Sequence, residues 1–224
     1  MNDAPFSSIV GHEPQLQTLE LLGAGSRLPH ALLFSGPAAV GKRTTAFEFA
    51  RLLLRSAEKP VPERLSNHPD FHPVYRPADA KDLSVELIRD LIQKLQLRSY
   101  YGGRKVAVID EAHLMSVAAA NALLKTLEEP PADTYLILVS AAAHRLLPTI
   151  VSRCQNLPFA FLTAEHVTKL LEALLKKIGA SDIDANALLH LCDGTLAALG
   201  LDPWIDPVSL QPTGEEALRA HLSA

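Results

Sequence analysis

The chain has 224 residues, which is enough for one large domain or two small ones, and its 48% hydrophobic content predicts a packed core. Its formal net charge of -4 excludes a uniformly basic surface, so any contact with nucleic acid requires a local patch. Two widely separated cysteines support neither a disulfide framework nor a thiol zinc site. No apolar run reaches the roughly 20 residues that cross a bilayer, and the amino terminus lacks the features of a signal peptide. We therefore expect a cytoplasmic protein.

Apolar spacing in the first part of the chain predicts a helix, a buried strand and a second helix. Leucines recur at every third residue in Gln15–Leu22, which is helical spacing. Ala31–Phe34 is a short apolar run that leads into a glycine and a proline, as expected of a buried parallel strand entering a loop. Lys42–Arg55 has apolar residues along one side of a helix. The segment 59–77 is rich in proline and histidine and predicts a loop with a short strand near Phe71–Val74.

The middle of the chain alternates helices and strands. Val85–Leu95 carries an apolar stripe at helical period, and Ser84 is the expected N-cap. Lys105–Asp110 and Tyr135–Val139 are predicted buried strands, and the helix between them, Ser116–Glu128, stops before two prolines. This alternation predicts an α/β fold, with a mostly parallel sheet covered by helices on both faces.

The pattern changes after a short predicted strand at Gln155–Pro158. Thr163–Ile178 and Asp184–Leu199 both have helical spacing and predict a second, helical domain. We therefore divide the chain into an α/β domain at residues 1–160 and a small helical domain at residues 161–224.

A glycine-rich segment lies between the first predicted strand and the second helix. From Gly36 to Arg43 it fits the nucleotide-binding loop G-x-x-x-x-G-K-S/T at every position except the last. In such a loop, backbone N–H groups and the helix dipole favour a phosphate chain, Gly36 and Gly41 permit the tight backbone, and Lys42 reaches the terminal phosphates. The alternative is an incidental glycine-rich turn, which the flanking strand and helix argue against.

The residue after the lysine departs from this pattern. It normally carries a hydroxyl that ligates magnesium, whereas Arg43 cannot ligate a cation and adds positive charge where the metal would lie. Thr44, one residue on, is turned by about 100° around the helix. We therefore expect a degenerate ATP site that binds magnesium weakly at best and does not turn ATP over.

Asp110 and Glu111 end a predicted buried strand and resemble the second acidic motif of such NTPases. There the aspartate holds magnesium through water and the glutamate orients the attacking water. Carboxylates at strand ends also serve as simple caps, and this alternative stays open. The string Asp110–His113 is also similar to that of one helicase class, but those helicases need two full nucleotide-type domains and this chain has room for one.

Arg153 lies in Ser152-Arg153-Cys154, just before the last predicted strand. A guanidinium at a subunit edge can neutralise charge that develops on the terminal phosphate of a neighbouring subunit, the role called an arginine finger. Taken alone, an arginine is more often a surface charge, so the interpretation depends on the motif. Cys154 is expected to be a small buried residue, because no base that would activate it is evident. The histidines lack metal-ligand spacing, and we expect them at the surface or at caps.

Several segments of the chain together resemble the delta-prime family of bacterial DNA polymerase III clamp-loader subunits. The resemblance covers residues 5 to 160 strongly and the remainder loosely. It rests on Phe6–His12, Arg27–Phe34, Asn67–Asp70, Asn121–Pro131 and Ser152–Cys154. Asn121–Pro131 is the most specific of these segments and is shared with the related gamma/tau subunits.

This resemblance implies an AAA+ module, made of a nucleotide-binding-type α/β domain and a helical lid. It implies a place beside gamma/tau and delta subunits in a hetero-pentameric ring, which opens the sliding clamp and loads it on primed DNA. Such a subunit is part of the DNA polymerase III holoenzyme, a DNA-directed DNA polymerase and nucleotidyltransferase complex. The resemblance also implies that, like delta-prime subunits in general, the chain is inert as an ATPase. Such a subunit would supply the arginine that corresponds to Arg153 in trans, to an adjacent ATPase subunit.

Some features depart from the family pattern. The segment Ser56–Ser66 has no cysteine where relatives often carry a cysteine-bound zinc module, so we predict no structural zinc. The first-sensor position falls near Ser140 and Ala141, and Ala197 stands where active loaders carry the second-sensor arginine. The chain ends at Ala224, before the expected helical collar, which predicts either a truncated chain or a short member.

Two alternative functions stay open at this point. One is an active ATPase of the gamma/tau type, with Thr44 substituting for the missing magnesium ligand. The other is a nucleotide-binding switch that retains affinity for ATP without hydrolysing it.

Overall fold

The structure, a computed structural model, describes residues 5–25, 28–55 and 61–177. The predicted helix Asp184–Leu199 and the second-sensor segment around Ala197 lie outside the described residues. The helices and strands in chain order are α1 Glu13–Ala24, β1 Ala31–Ser35, α2 Lys42–Leu54, β2 Phe71–Val74, α3 Val85–Gln96, β3 Lys105–Ile109, α4 Val117–Glu128, β4 Thr134–Ser140, α5 Pro148–Val151, β5 Gln155–Pro158 and α6 Ala164–Lys177.

The strands form one parallel sheet in the order β2-β3-β4-β1-β5. All five residues of β1 and of β3 are buried, because helices cover both faces of these strands. This arrangement confirms the predicted α/β fold with a parallel sheet. The order places β2 and β5 at the two edges and β1 between β4 and β5.

Two apolar clusters fill the space between the sheet and its helices. One packs α1 and α2 on the first face, around Leu19, Phe34 and Phe49. The other packs α3 and α4 on the opposite face, around Ile88 and Leu123. Parallel strands with crossover helices on both sides thus bury alternate residues of each strand in different cores.

The predicted helix starts are right in position but differ in how they are capped. Ser116 accepts a hydrogen bond from the backbone N–H of Ala119, at 3.2 Å, and caps α4. Ser84 is the N-cap residue of α3, as predicted, but its side chain makes no capping bond to the helix backbone. Its side chain bonds instead to Glu86, and this contact lowers the pKa of that carboxyl.

Sequence periodicity did not predict α5, which is only four residues long. A single helical turn offers no repeat for a periodicity argument, and proline at its start is the one local signal. The helix matters because it leads directly into Ser152 and Arg153.

Beyond β5, α6 packs against the amino-terminal segment of the chain. Val167 and Leu171 on α6 are fully buried, and the His166 ring lies close to Gly11. The division into an α/β domain and a helical lid stays a prediction. No helix in the described part of the chain is long and apolar enough to cross a membrane.

Candidate functional site

The glycine-rich loop joins the carboxyl end of β1 to the first turn of α2. Gly36 has φ of 140°, and a methyl group there would lie 2.1 Å from the carbonyl oxygen of Phe159. Gly41 has φ of 93°, a backbone conformation that glycine adopts without strain. Both glycines of the motif are therefore required by the backbone path, which argues against an incidental turn.

Lys42 is the first residue of α2, and its side chain turns back into the loop. Its Nζ donates to the carbonyl oxygen of Gly36, at 2.9 Å, and to that of Pro37. Burial lowers the pKa of Lys42 to about 8, and the nearby Asp110 carboxylate partly offsets this. The amine therefore carries its charge at neutral pH and must exchange these carbonyls for any phosphate it binds.

Arg43 forms an ion pair with the aspartate of the predicted acidic motif. Its Nη1 lies 2.6 Å from Oδ2 of Asp110, and both side chains are largely buried. The guanidinium also lies over the ring of Tyr75, at 5.5 Å from the ring centre. Magnesium needs oxygen ligands in near-octahedral geometry, so a guanidinium bound to this carboxylate does not fit a magnesium ion. The residues present here therefore do not fit the metal that such loops ordinarily use.

Glu111 is held by a second arginine. Its backbone is left-handed, with φ of 47°, and its N–H donates to Oδ1 of Asp110 at 2.9 Å. Its Oε2 lies 3.1 Å from Nε of Arg76, which follows β2. Both carboxylates of the acidic motif are thus paired with arginines from this chain.

Sequence reasoning missed Tyr75 and Arg76. The available signal was their position directly after the short predicted strand near Phe71–Val74. The carboxyl ends of parallel strands meet at one edge of a sheet, which is where ligand sites of α/β folds lie. That rule would have brought these residues next to Asp110 once β2 was paired with β3.

The remaining residues of the predicted site are less engaged with the loop. Thr44 lies in the first turn of α2 and is half-buried. Ser140, at the first-sensor position, is fully buried and accepts a hydrogen bond from the N–H of Ala142 at 3.2 Å. It lies opposite Ser35 in the β1–β4 register, directly before the loop.

Arg153 lies at the other end of the sheet. It precedes β5, whose first residue pairs with Leu32 near the start of β1, whereas the loop follows the end of β1. At about 3.3 Å per residue, the five-residue strand separates the two ends by about 15 Å. The structure therefore does not bring Arg153 together with Lys42 or Asp110.

The Arg153 guanidinium is held by two contacts within the chain. Its Nη2 lies 2.5 Å from Oε1 of Glu128, the last residue of α4, and its Nη1 donates to the carbonyl oxygen of Thr149 at 2.8 Å. One third of the Arg153 side chain and half of the Glu128 side chain are exposed. The guanidinium thus lies beside the edge strand with access to solvent.

The other predicted features concern metals and thiols. Among the described residues there is no cluster of three or more histidine, cysteine or acidic side chains that could hold a metal ion. His30 Nε2 bonds to the carbonyl oxygen of Leu127 at 2.9 Å, at the end of α4, which is the predicted capping role. Burial raises the pKa of the Cys154 thiol to about 11, so it is a poor nucleophile at neutral pH.

Solved structures of other proteins share this fold. RuvB of Thermotoga maritima, a Holliday junction branch migration motor, superposes with a TM-score of 0.53 at 18% identity, over 86% of this chain and 65% of that chain. A gamma subunit-related protein of DNA polymerase III from the same organism gives 0.55 at 19% identity, over 84% and 62%. At these identities the likeness establishes the fold alone, a parallel α/β sheet that this chain shares with both solved structures.

The family follows from the sequence comparisons. The chain belongs to the family described as DNA polymerase III, delta subunit, whose model matches residues 11–163. The delta-prime subunit from Pseudomonas aeruginosa is 38% identical over 75% of this chain and 58% of the relative. The tau subunit from Bacillus subtilis is 34% identical over 72% and 30%. These matches confirm the resemblance to clamp-loader subunits, with delta-prime and gamma/tau relatives at similar identity, and the chain spans less than two thirds of either relative.

Proposed function

We propose that this chain acts as a delta-prime-type subunit of the DNA polymerase III clamp loader. In this role it does not hydrolyse ATP itself and offers Arg153 to a neighbouring gamma/tau subunit. Its partners would be gamma/tau and delta subunits, and through them the sliding clamp and primed DNA.

The observation that carries the proposal is the ion pair between Arg43 and Asp110. Hydrolysis in this class of site depends on a magnesium ion that bridges phosphate oxygens and is held by the aspartate and by the residue after the lysine. Here that residue is Arg43, and its guanidinium lies 2.6 Å from the carboxylate that would help hold the metal. The carboxylate that would help hold the metal is therefore paired with the residue that replaces the second ligand.

The position of Arg153 supports action in trans. A guanidinium about 15 Å from the loop along β1 is too distant to act on a phosphate bound in the same subunit. It lies beside an edge strand, where a neighbouring subunit can approach, and its partly exposed side chain can exchange Glu128 for a phosphate.

A gamma/tau-type ATPase is the second candidate, because the Bacillus subtilis tau subunit is nearly as similar to this chain as the delta-prime relatives are. In that case Thr44 would replace the missing metal ligand. Magnesium-dependent ATP hydrolysis by the purified chain separates the two candidates. We expect none above background, and we expect Arg43→Thr alone not to restore it, because this substitution does not supply the missing sensor contacts, such as the second-sensor arginine that Ala197 replaces.

The test of Arg153 uses a loader reconstituted with gamma/tau and delta subunits. Arg153→Ala should leave assembly unchanged and reduce clamp- and DNA-stimulated hydrolysis at the one dependent site by about a thousandfold or more. Because other sites in the ring use their own arginines, clamp loading is measured beside bulk hydrolysis. Arg153→Lys should rescue little, since an ammonium lacks the planar fork.

The matched control is Arg98→Ala, which removes the same charge from an exposed position. Wild-type rates of both hydrolysis and clamp loading with Arg153→Ala would mean that this arginine is only a surface charge, and the proposal would be wrong.

A further inference from the structure

The carboxyl edge of the sheet carries two arginine–carboxylate pairs beside the glycine-rich loop. Arg43 from α2 pairs with Asp110 at 2.6 Å, and Arg76 from the end of β2 pairs with Glu111 at 3.1 Å. The two carboxylates are adjacent in sequence, but the two arginines come from different elements. Two independent segments therefore deliver a guanidinium to the same acidic motif.

The charges at this edge match those of a metal-loaded site. In an ordinary site of this class, one lysine and one divalent cation supply three positive charges against two carboxylates. Here Lys42, Arg43 and Arg76 supply three positive charges against Asp110 and Glu111. The net charge that faces a phosphate chain is therefore the same without any metal.

We propose that this loop binds the polyphosphate chain of a nucleotide without a divalent cation, with Arg43 and Arg76 supplying the charge of the metal. This inference deepens the proposed function, since it rests on a subunit that does not hydrolyse ATP itself. It concerns binding only and involves no chemical step.

The packing of Arg43 explains why a metal ion would not displace it. Only 22% of the Arg43 side chain and 13% of the Asp110 side chain are exposed, so salt screens their attraction weakly. Tyr75 covers the guanidinium from one side. Moving Arg43 away would take a guanidinium from the largely buried Asp110 carboxylate. A hydrated cation would have to lose water to take its place.

The loop itself retains the features that recognise phosphate. Gly36 and Gly41 keep the backbone path, and the amino end of the 13-residue helix α2 points its N–H groups into the loop. The buried Lys42 amine lies among the loop carbonyls, from which it can turn to a phosphate. The donors for the anion are thus present, and only the metal ligands have changed.

The experiment titrates the full chain with ATP by calorimetry, once with magnesium and once with EDTA. We expect the dissociation constants in the two buffers to agree within about twofold, whereas a metal-dependent site would lose about tenfold or more in EDTA. Arg43→Thr restores a hydroxyl ligand and removes the guanidinium from Asp110, so its ATP binding in EDTA should be about tenfold weaker than in magnesium.

Arg98→Thr is the matched control, because it makes the same substitution at an exposed arginine and should behave like wild type. Arg43→Lys keeps the charge and should stay insensitive to EDTA, which tests the idea even if Arg43→Thr does not fold. Wild-type binding that requires magnesium, or the absence of ATP binding in both buffers, would overturn the inference.

These outcomes are separate from those that test the proposed function. Loss of stimulated hydrolysis with Arg153→Ala would support the function whether or not the loop binds ATP. Conversely, suppose that ATP binds in EDTA but Arg153→Ala leaves stimulated hydrolysis unchanged. That result would support the metal-free site and contradict the role of Arg153.

Discussion

Asp70 provides a sharp test of how the amino edge of the sheet is held together. It is only 3% exposed, and its carboxylate accepts the backbone N–H groups of Tyr100 and Tyr101, at 2.7 and 3.2 Å, and the hydroxyl of Ser99, at 3.0 Å. These contacts fasten the turn after α3 to the start of β2. Asp70→Ala would leave both N–H groups without their acceptor.

The size of the effect follows from those lost contacts. A hydrogen bond to a charged group contributes about 1.5–3 kcal/mol. The two N–H bonds are only part-buried, so the lower end of this range applies and their loss costs about 3 kcal/mol, while the Ser99 hydroxyl can rotate toward water. For a chain of this size each kcal/mol lowers Tm by about 2–4 °C, so the expected fall is about 6–12 °C. Thermal and urea unfolding measure it.

Two further variants complete this test. Asp70→Asn keeps one carbonyl acceptor and should lose less stability than Asp70→Ala. Asp79→Ala changes an exposed aspartate and should stay within about 0.5 kcal/mol of wild type. If the free energy of unfolding of Asp70→Ala lies within about 1 kcal/mol of the wild-type value, the three contacts do not stabilise the turn and the reasoning is wrong.

Three other predictions follow from the structure. Burial lowers the pKa of His12 and of His72, so below about pH 6.5 the unfolded chain binds more protons than the folded chain. The free energy of unfolding should therefore fall as the pH is lowered from 7 toward 5. A urea midpoint that stays constant over this range, or whose pH dependence is unchanged in His72→Gln, would contradict this prediction. Glu128→Gln removes a partly exposed ion pair that is worth up to about 1 kcal/mol and so releases Arg153. We expect stimulated hydrolysis by the reconstituted loader to rise up to about fivefold, whereas the control Glu129→Gln should leave it unchanged. An unchanged rate with Glu128→Gln would refute this prediction. Elemental analysis should find less than one equivalent of zinc per chain, and one tightly bound zinc would show that the histidines had been misread.

The sequence alone determined most of the fold, for physical reasons visible in particular segments. Buried parallel strands are covered on both faces and therefore appear as continuous apolar runs, as in residues 106–109 and 31–34. The glycine-rich loop was equally clear, because its glycines, its lysine and its position between a strand and a helix are local properties. The replacement of the metal-ligating hydroxyl by Arg43 could also be read directly.

The partners of these residues were decided only by the tertiary structure. Arg43 and Asp110 are 67 positions apart, and Arg76 and Glu111 are 35 apart. Periodicity indicates which residues are buried but not which strands are neighbours, and strand order is what brings β2, β3 and the loop to one edge. The sequence therefore predicted an arginine that does not fit a metal, whereas only the packed sheet determined that this arginine pairs with Asp110 of the acidic motif.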